Sequence, residues 1–477
     1  MGSECGSTRD SGCDSLWRMS KTFRPWNIDQ QWLLPPSVDE FVPVGHVAHF
    51  VRDTVRTGLD LSAILSSYGD ERGYPPYDPT MMTALLVYAY SQGVYSSRRI
   101  ARACEERLDF MAVTALNRPD FRTVSDFRKR HLKALSGLFV QVLKLCAEAG
   151  LVRLGHVAVD GTKIKANASK HKAMSYGRMA EAEARLKDEV AAWFEQAATI
   201  DAAEDAEHGT EQRGDELPAW VASKQERLAK IRQARSALET EAQTAAASKR
   251  PPEGPDDPGA PGPTAAANVP AAEPAKPEPK AQRNFTDPES RIMKTKDGFI
   301  QGYNAQAAVD AASQVIVAHD LVTAGNDMGQ LLPLVDAVEA LAGALPQEVS
   351  ADAGYCSEDN LAGLDERDIR GYVATGRQKH GTVAATGNRA NRRGSRVVAM
   401  ATRLKRGARR SRYRLRKQVV EPVFGQIKQA RGFRQFLLRG LAKVKAEWAI
   451  LCAVHNLLKL AAVRRCARSA GLIAIAA

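Results

Sequence analysis

The chain has 477 residues, with 67 Lys and Arg against 55 Asp and Glu for a formal net charge of +12. At ~100–200 residues per domain this length implies two or three domains, each able to bury a core, and it excludes a small disulfide-stapled scaffold. With 44% hydrophobic and 26% charged residues the composition is globular, and the positive excess favours a polyanionic partner, nucleic acid first and an anionic membrane second.

The seven cysteines are scattered, with no CxxC, so neither a disulfide framework nor a zinc site is expected. The N-terminus has no apolar signal-peptide core. No membrane association is expected: the longest apolar run, 449–463, is interrupted by His455, Asn456 and Lys459 and falls short of the ~20 residues of a spanning helix.

In chain order, Asp78-Pro79 opens a helix over 81–90, and Ser96-Ser97 caps a second over 98–108. The Ser91-Gln92-Gly93 turn between them makes the pair resemble a helix-turn-helix, a pattern shared with plain packing hairpins. A longer helix is predicted from Thr123, with Asp126 completing a capping box, to Glu148. The period then changes: residues 151–159 read as a strand ending at Asp160-Gly161. Residues 175–247 carry two helical stripes, Leu186, Val190 and Trp193, then Leu217, Val221, Leu228, Ile231 and Leu238, which suits a helical hairpin. Residues 251–279 are rich in Pro, Ala, Gly and Glu and read as a disordered linker. Strands follow at 302–309 and 314–321, a helix at 327–341, a strand at 348–351, a helix at 357–364 and a strand at 372–374. That order argues a mixed-sheet α/β fold.

Asp160 and Asp352 each follow an apolar strand and precede a nearby Gly, at strand ends where ligand sites collect. Taken singly, each also fits an Asp capping a turn. On a helical projection Glu421 shares a face with Phe424, Gly425 and Lys428, opposite Val419, Val423, Ile427 and Ala430. Pro422 is tolerated only in a first turn or at a kink; a helix that begins at Glu421 would set the carboxylate at a positive helix end. Residues 389–417 hold thirteen Lys and Arg and no acid, so the rest of the chain is nearly neutral. Such a run is commonly a solvated face; this one leads directly into an acidic residue.

Four strings now stand in order: VAVDGTK at 157–163, DGFIQGYNAQ at 297–306, ADAGY at 351–355 and VEPVFGQIK at 420–428. They resemble the DDE transposases of bacterial insertion sequences, most of all the insertion-sequence group eleven-eighty-two within the insertion-sequence-four/five superfamily. The resemblance runs from about Phe23 to Val463, apart from the insertion, and continues in Glu447-Trp448 and in HNLLK at 455–459. It implies a catalytic and metal-holding triad of Asp160, Asp352 and Glu421, an RNase H-like fold, and two Mg²⁺ ions with Mn²⁺ as a possible substitute. It further implies double-stranded DNA as substrate, both terminal inverted repeats and target, with a homodimer expected on DNA. A cytoplasmic, nucleoid-associated bacterial location follows. The superfamily pattern around the glutamate places Tyr and Arg at 414 and 417; here Tyr413 and Arg416 stand one position early, while Lys428 matches.

The expected organisation is a disordered 1–22, an all-α N-terminal domain at 23–150, and an RNase H-like catalytic domain at 151–174 plus 284–463. The catalytic domain is interrupted by a helical insertion (175–250) and a disordered linker (251–283), and 464–477 form a tail. Lys163, Arg409, Arg410, Arg412, Arg414, Arg416, Lys417, Lys428, Arg431 and Arg434 are candidate DNA contacts, each also compatible with a solvated surface. Asn304 and Tyr355 are candidate supports, and His455 reads as a satisfied core histidine. Two other classes remain open: a catalytically inactive DNA-binding relic, and an assembly protein built on the helical hairpin.

Overall fold

The computed structural model describes residues 37–68, 75–208, 219–247, 275–295, 298–376, 386, 394–407 and 411–469. The N-terminal tail expected at 1–22 and the linker residues 251–274 lie outside the described residues.

The first part is a layer of helices: α1 (Val47–Gly58), α2 (Ser62–Leu65), α3 (Pro79–Ser91), α4 (Ser97–Glu106), α5 (Leu108–Thr114), α6 (Phe121–Arg130) and α7 (Leu132–Glu148). Asp78 starts α3 by accepting from the amides of Thr80 and Met81, and Pro79 fills the first position, where no donor is needed. From Met82 to Ser91 every residue of α3 is buried, so it is the centre of the layer rather than its face. The long helix expected from Thr123 is two helices. Asp120, not Thr123, is the cap, its carboxylate taking the amide of Arg122. The chain then breaks at His131, whose ring packs on Phe127 and Tyr68.

The sheet contains β1 (Val157–Lys165), β4 (Arg291–Thr295), β5 (Gly298–Asp310), β6 (Ile316–Val322), β7 (Glu348–Ala351) and β8 (Arg370–Val373), with a separate two-stranded ladder of β2 (Ala173–Ser175) and β3 (Gln282–Asn284). β5 is central: its first half pairs β4 and its second half β6 on one side, while β1 runs antiparallel along the other. β1 then pairs β7, and β7 pairs β8, both parallel. The strand expected over 151–159 is displaced. Asp310 takes the amides of Arg153 and Leu154 at 2.9 and 2.8 Å, so those residues form a capped loop, and β1 begins at Val157 and runs through Asp160 and Gly161.

Helices α10 (Leu331–Ala342) and α11 (Glu358–Glu366) follow β6 and β7, and α12 (Ser395–Gly407) packs on α11 and β8. α10 starts four residues later than expected, leaving Asp327 in the preceding loop. α13 (Leu415–Gly425) starts at Leu415, so Glu421 is mid-helix rather than in a first turn. Ser411 caps the short turn Arg412–Arg414 that feeds the helix, which is why it starts before the proline. Pro422 has no N–H for the Gln418 carbonyl, and the Gln314 side chain donates to that oxygen instead, at 2.9 Å. A π-helical turn, Gln426–Ala430, continues the helix.

The last helix, α14 (Leu441–Ser469), runs past the expected tail boundary at 463. Its stretch Leu441–Cys466 is long and apolar enough to cross a membrane by length and composition alone, yet most of its apolar part is buried in the protein. It packs on α7, α3 and β6; Trp448 Nε1 donates to the Gln306 carbonyl and Asn456 brackets Ile316 with two hydrogen bonds. One hydrophobic cluster therefore joins the helical layer to the sheet, from Val42 to Leu460.

The insertion stands apart from that core. α8 (Tyr176–His208) and α9 (Ala219–Ala247) pair through a cluster of their own, Met179, Leu186, Leu228, Ile231, Ala234 and Leu238, flanked by Lys224–Glu189 at 2.7 Å and Arg232–Glu183 at 3.0 Å. The chain leaves and re-enters through the β2–β3 ladder, where Ala173 pairs Asn284 and Ser175 pairs Gln282. Order thus resumes before 284, because β3 is needed to close that ladder.

Candidate active site

Register places the first two carboxylates. Ala158 pairs Ser350 in the parallel β1–β7 ladder, so Asp160 and Asp352, two residues further along, lie level on neighbouring strands and on one face. Asp352 caps a short 3₁₀ turn, its Oδ1 accepting the Gly354 amide at 2.7 Å. α13 lies across β1, β5 and β7 and brings Glu421 to the same place. Arg416 joins them: Nη1 is 2.5 Å from Asp160 Oδ2 and Nη2 is 3.2 Å from Glu421 Oε1. Its side chain is only 12% exposed and its Nε is buried without a hydrogen-bond partner. Tyr413, one turn earlier, also hydrogen-bonds Arg416 and feels Asp352 and Asp160. The one-position offset in the sequence therefore does not remove either residue from the site.

Burial pushes the Asp160 carboxyl up to about 7; Arg416 opposes the rise, and the charges of Asp352 and Asp327 add to it. Asp352 is raised by burial, against its bond from Gly354 and the pull of Arg416. The negative charge gathered here exceeds what one guanidinium balances.

Asp327, Gln306 and Asn304 complete the surroundings. Asp327 Oδ1 accepts from Asn304 Nδ2 and Gln306 Nε2, both at 2.7 Å, and Gln306 in turn accepts the Tyr355 hydroxyl. Asn304 and Tyr355, expected as supports, take those places. Asp327 is absent from the expected site residues. Its signal was available in Gly325-Asn326-Asp327, an acid beside a Gly shortly after a strand, the same pattern that marks Asp160 and Asp352. Gly161 is obligatory here, since a Cβ would run into Gln306 Nε2 and come within 2.8 Å of Asp327 Oδ1.

The basic residues divide. Besides Arg416, Lys163 Nζ donates to the Lys294 carbonyl, and Lys428 Nζ reaches Thr162 Oγ1 at 3.0 Å and the Lys163 carbonyl at 3.1 Å. Arg431 turns inward, to the Gln426 carbonyl and to His455. His455 is buried as expected, with Nε2 donating to the Gln314 carbonyl at 2.9 Å and Nδ1 accepting from Arg431. Arg412 pairs with Glu348 at 3.2 Å, at the opposite end of β7 from Asp352. Arg414, Lys417 and Arg434 are exposed, and Arg409 and Arg410 lie outside the described residues.

Among the described residues no three carboxylate, imidazole or thiolate groups stand close enough to hold one ion as they are. The donors nonetheless fit a hard divalent cation: all are carboxylate oxygens, two sit side by side, and among the described residues the cation bridging Asp160 and Glu421 is the Arg416 side chain.

A transposase domain (DUF772) matches residues 36–130, and a transposase DDE domain matches residues 269–457. The chain is a DDE transposase. Its type is that of insertion sequences four and five. No curated protein and no solved structure matches the chain. In the transposase the first match spans the helices from α1 to α6, while the second contains Asp327, Asp352 and Glu421. Asp160 falls between the two matches; the pairing of β1 with β5 and β7 brings it beside Asp352 and Asp327.

Proposed function

We propose that this transposase, a member of insertion-sequence group eleven-eighty-two, cuts DNA at the terminal inverted repeats of its own element and joins the freed 3′-OH ends to target DNA. The observation that carries the reading is the convergence of Asp160, Asp352 and Glu421 around Arg416. The order β6-β5-β1-β7-β8, antiparallel through the first three strands and parallel through the last two, supports an RNase H-like domain.

Asp160, Asp352 and Glu421 are the residues that would hold Mg²⁺, or Mn²⁺ in its place. When bound there, two such ions would supply activation of the attacking oxygen and charge stabilisation at the leaving oxygen of an in-line displacement. Arg416, freed from Asp160 and Glu421, is long enough to grip the scissile phosphate with a bidentate fork. Arg414, Lys417 and Arg434, exposed on the same segment and the turn after it, suit the flanking phosphates. Two element ends must be brought together, so the working form on DNA is a homodimer, acting in the bacterial cytoplasm on the nucleoid.

The test is a plasmid carrying the element's flanking repeats, incubated with the full chain and Mg²⁺. Asp160→Ala, Asp352→Ala and Glu421→Ala should each lower strand cleavage on the order of 10³-fold or more while DNA binding persists. Full cleavage by any one of them removes that residue from the triad, and a wild type that binds DNA without cutting it marks an inactive relic.

A further inference from the structure

Asp327 is an acidic residue that the triad leaves without a task. It sits in the loop between β6 and α10, anchored through Oδ1 by the paired amides of Asn304 and Gln306, which lie two residues apart on one face of β5. Those anchors point it at two glycines. A Cβ on Gly161 would lie 2.8 Å from Asp327 Oδ1, and a Cβ on Gly354 would lie 3.3 Å from Asp327 Oδ2. Gly161 directly follows Asp160, and Gly354 is the residue whose amide binds Asp352. Asp327 therefore stands between the backbone segments that carry both catalytic aspartates, one oxygen against each. Its charge also reaches both, raising the carboxyls of Asp160 and Asp352.

We infer that Asp327 is a positioning residue of the active site, a charged brace that fixes the segments 160–161 and 352–354 relative to each other and strengthens their hold on a divalent cation. The inference rests on the reading of Asp160, Asp352 and Glu421 as the metal-holding triad. Its chemistry is electrostatic as well as steric. A carboxylate filling the space that a side chain on either glycine would need keeps the field of the site negative even when Arg416 swings away, and its two amide donors hold it in place.

The distinguishing experiment is a calorimetric Mn²⁺ titration of the full chain as wild type, Asp327→Asn, Asp327→Ala and Asp160→Ala, with thermal midpoints taken alongside. Asp327→Asn keeps the size and the oxygen that accepts from Asn304 and Gln306 but removes the charge. It should weaken Mn²⁺ binding about 10-fold at an unchanged thermal midpoint, a combination that a purely structural role would not produce. Asp327→Ala, which also removes the brace, should weaken it further; if that variant melts early, the asparagine variant carries the test. Wild-type Mn²⁺ affinity in Asp327→Asn, with binding lost in Asp160→Ala, overturns the role of Asp327 alone. Equal Mn²⁺ binding by wild type and Asp160→Ala overturns the triad reading instead.

Discussion

At the scale of single residues, the site shows what a sequence can and cannot disclose about charge. Asp160 and Asp352 are legible because a strand, an acid and a glycine in succession leave a carboxylate at an uncluttered place. Arg416 is legible as a cation but not as a partner, since Asp160 lies 256 positions away and nothing local links them. The same holds for Glu447, which is 1% exposed, accepts the Leu437 and Leu438 amides at 3.1 Å, and is pushed by burial up to about 7. Between pH 4.5 and 7 the folded protein keeps a proton on Glu447 that the unfolded chain has released. The stability this provides is complete below pH 4.5 and is lost as pH rises through 7. Glu447→Gln keeps an acceptor for the amides but does not titrate. Its denaturation midpoint should pull ahead of wild type from pH 5 to pH 7.5, by up to ~3 kcal/mol. A constant gap across that range would show that Glu447 is ionised in the folded state.

At the scale of elements, α13 is the instructive case. The proline in its sequence allows either a first turn beginning at Glu421 or a kink inside a longer helix. The structure keeps Pro422 inside the helix and satisfies the Gln418 carbonyl from Gln314. Gln314 adopts a left-handed backbone (φ 61°) at the turn between β5 and β6, its Oε1 accepts from Lys459 at 2.7 Å, and its carbonyl accepts from His455. Three segments far apart in sequence thus meet on one glutamine, which local pattern cannot reveal. Gln314→Ala keeps the turn's backbone cost while stripping both side-chain bonds. It should cost about 1–3 kcal/mol, read as a lower thermal midpoint; an unchanged midpoint would mean that the proline-freed carbonyl finds another donor. The helix pair α3–α4 was legible from Asp78-Pro79 and the Gly93 turn, whereas the break at His131 depends on Phe127 and Tyr68 closing around a ring, a tertiary event.

At the scale of the whole molecule, the helical layer and the sheet share α14 and one hydrophobic cluster, while the α8–α9 hairpin has a small cluster of its own. Calorimetry should therefore show one main transition for layer and sheet together and a separate minor one for the hairpin. Replacing residues 184–234 with a short Gly-Ser link should abolish the minor transition and leave the main one within a few degrees. A large fall of the main transition would mean that the hairpin props up the core. The net charge of +12 was traceable to residues 389–417, but its use was not legible. Arg396 is committed to Asp365, Arg403 to the Gly371 carbonyl, Arg412 to Glu348, and Arg416 to Asp160 and Glu421. Four of those thirteen basic residues fasten the polypeptide to itself.

The β2–β3 ladder has a practical side. Because the insertion enters at Ala173 and leaves at Asn284 as a hydrogen-bonded antiparallel pair, its two ends are about 5 Å apart whatever lies between them. A foreign module whose own termini lie close together can be spliced between Ser175 and Gln282 without pulling β1 from β5 or β7. Asp160, the first carboxylate of the proposed triad, would then sit a short stretch upstream of a chosen cargo, such as a fluorescent reporter or a sequence-reading module, making this ladder a natural docking port for engineering where the element lands.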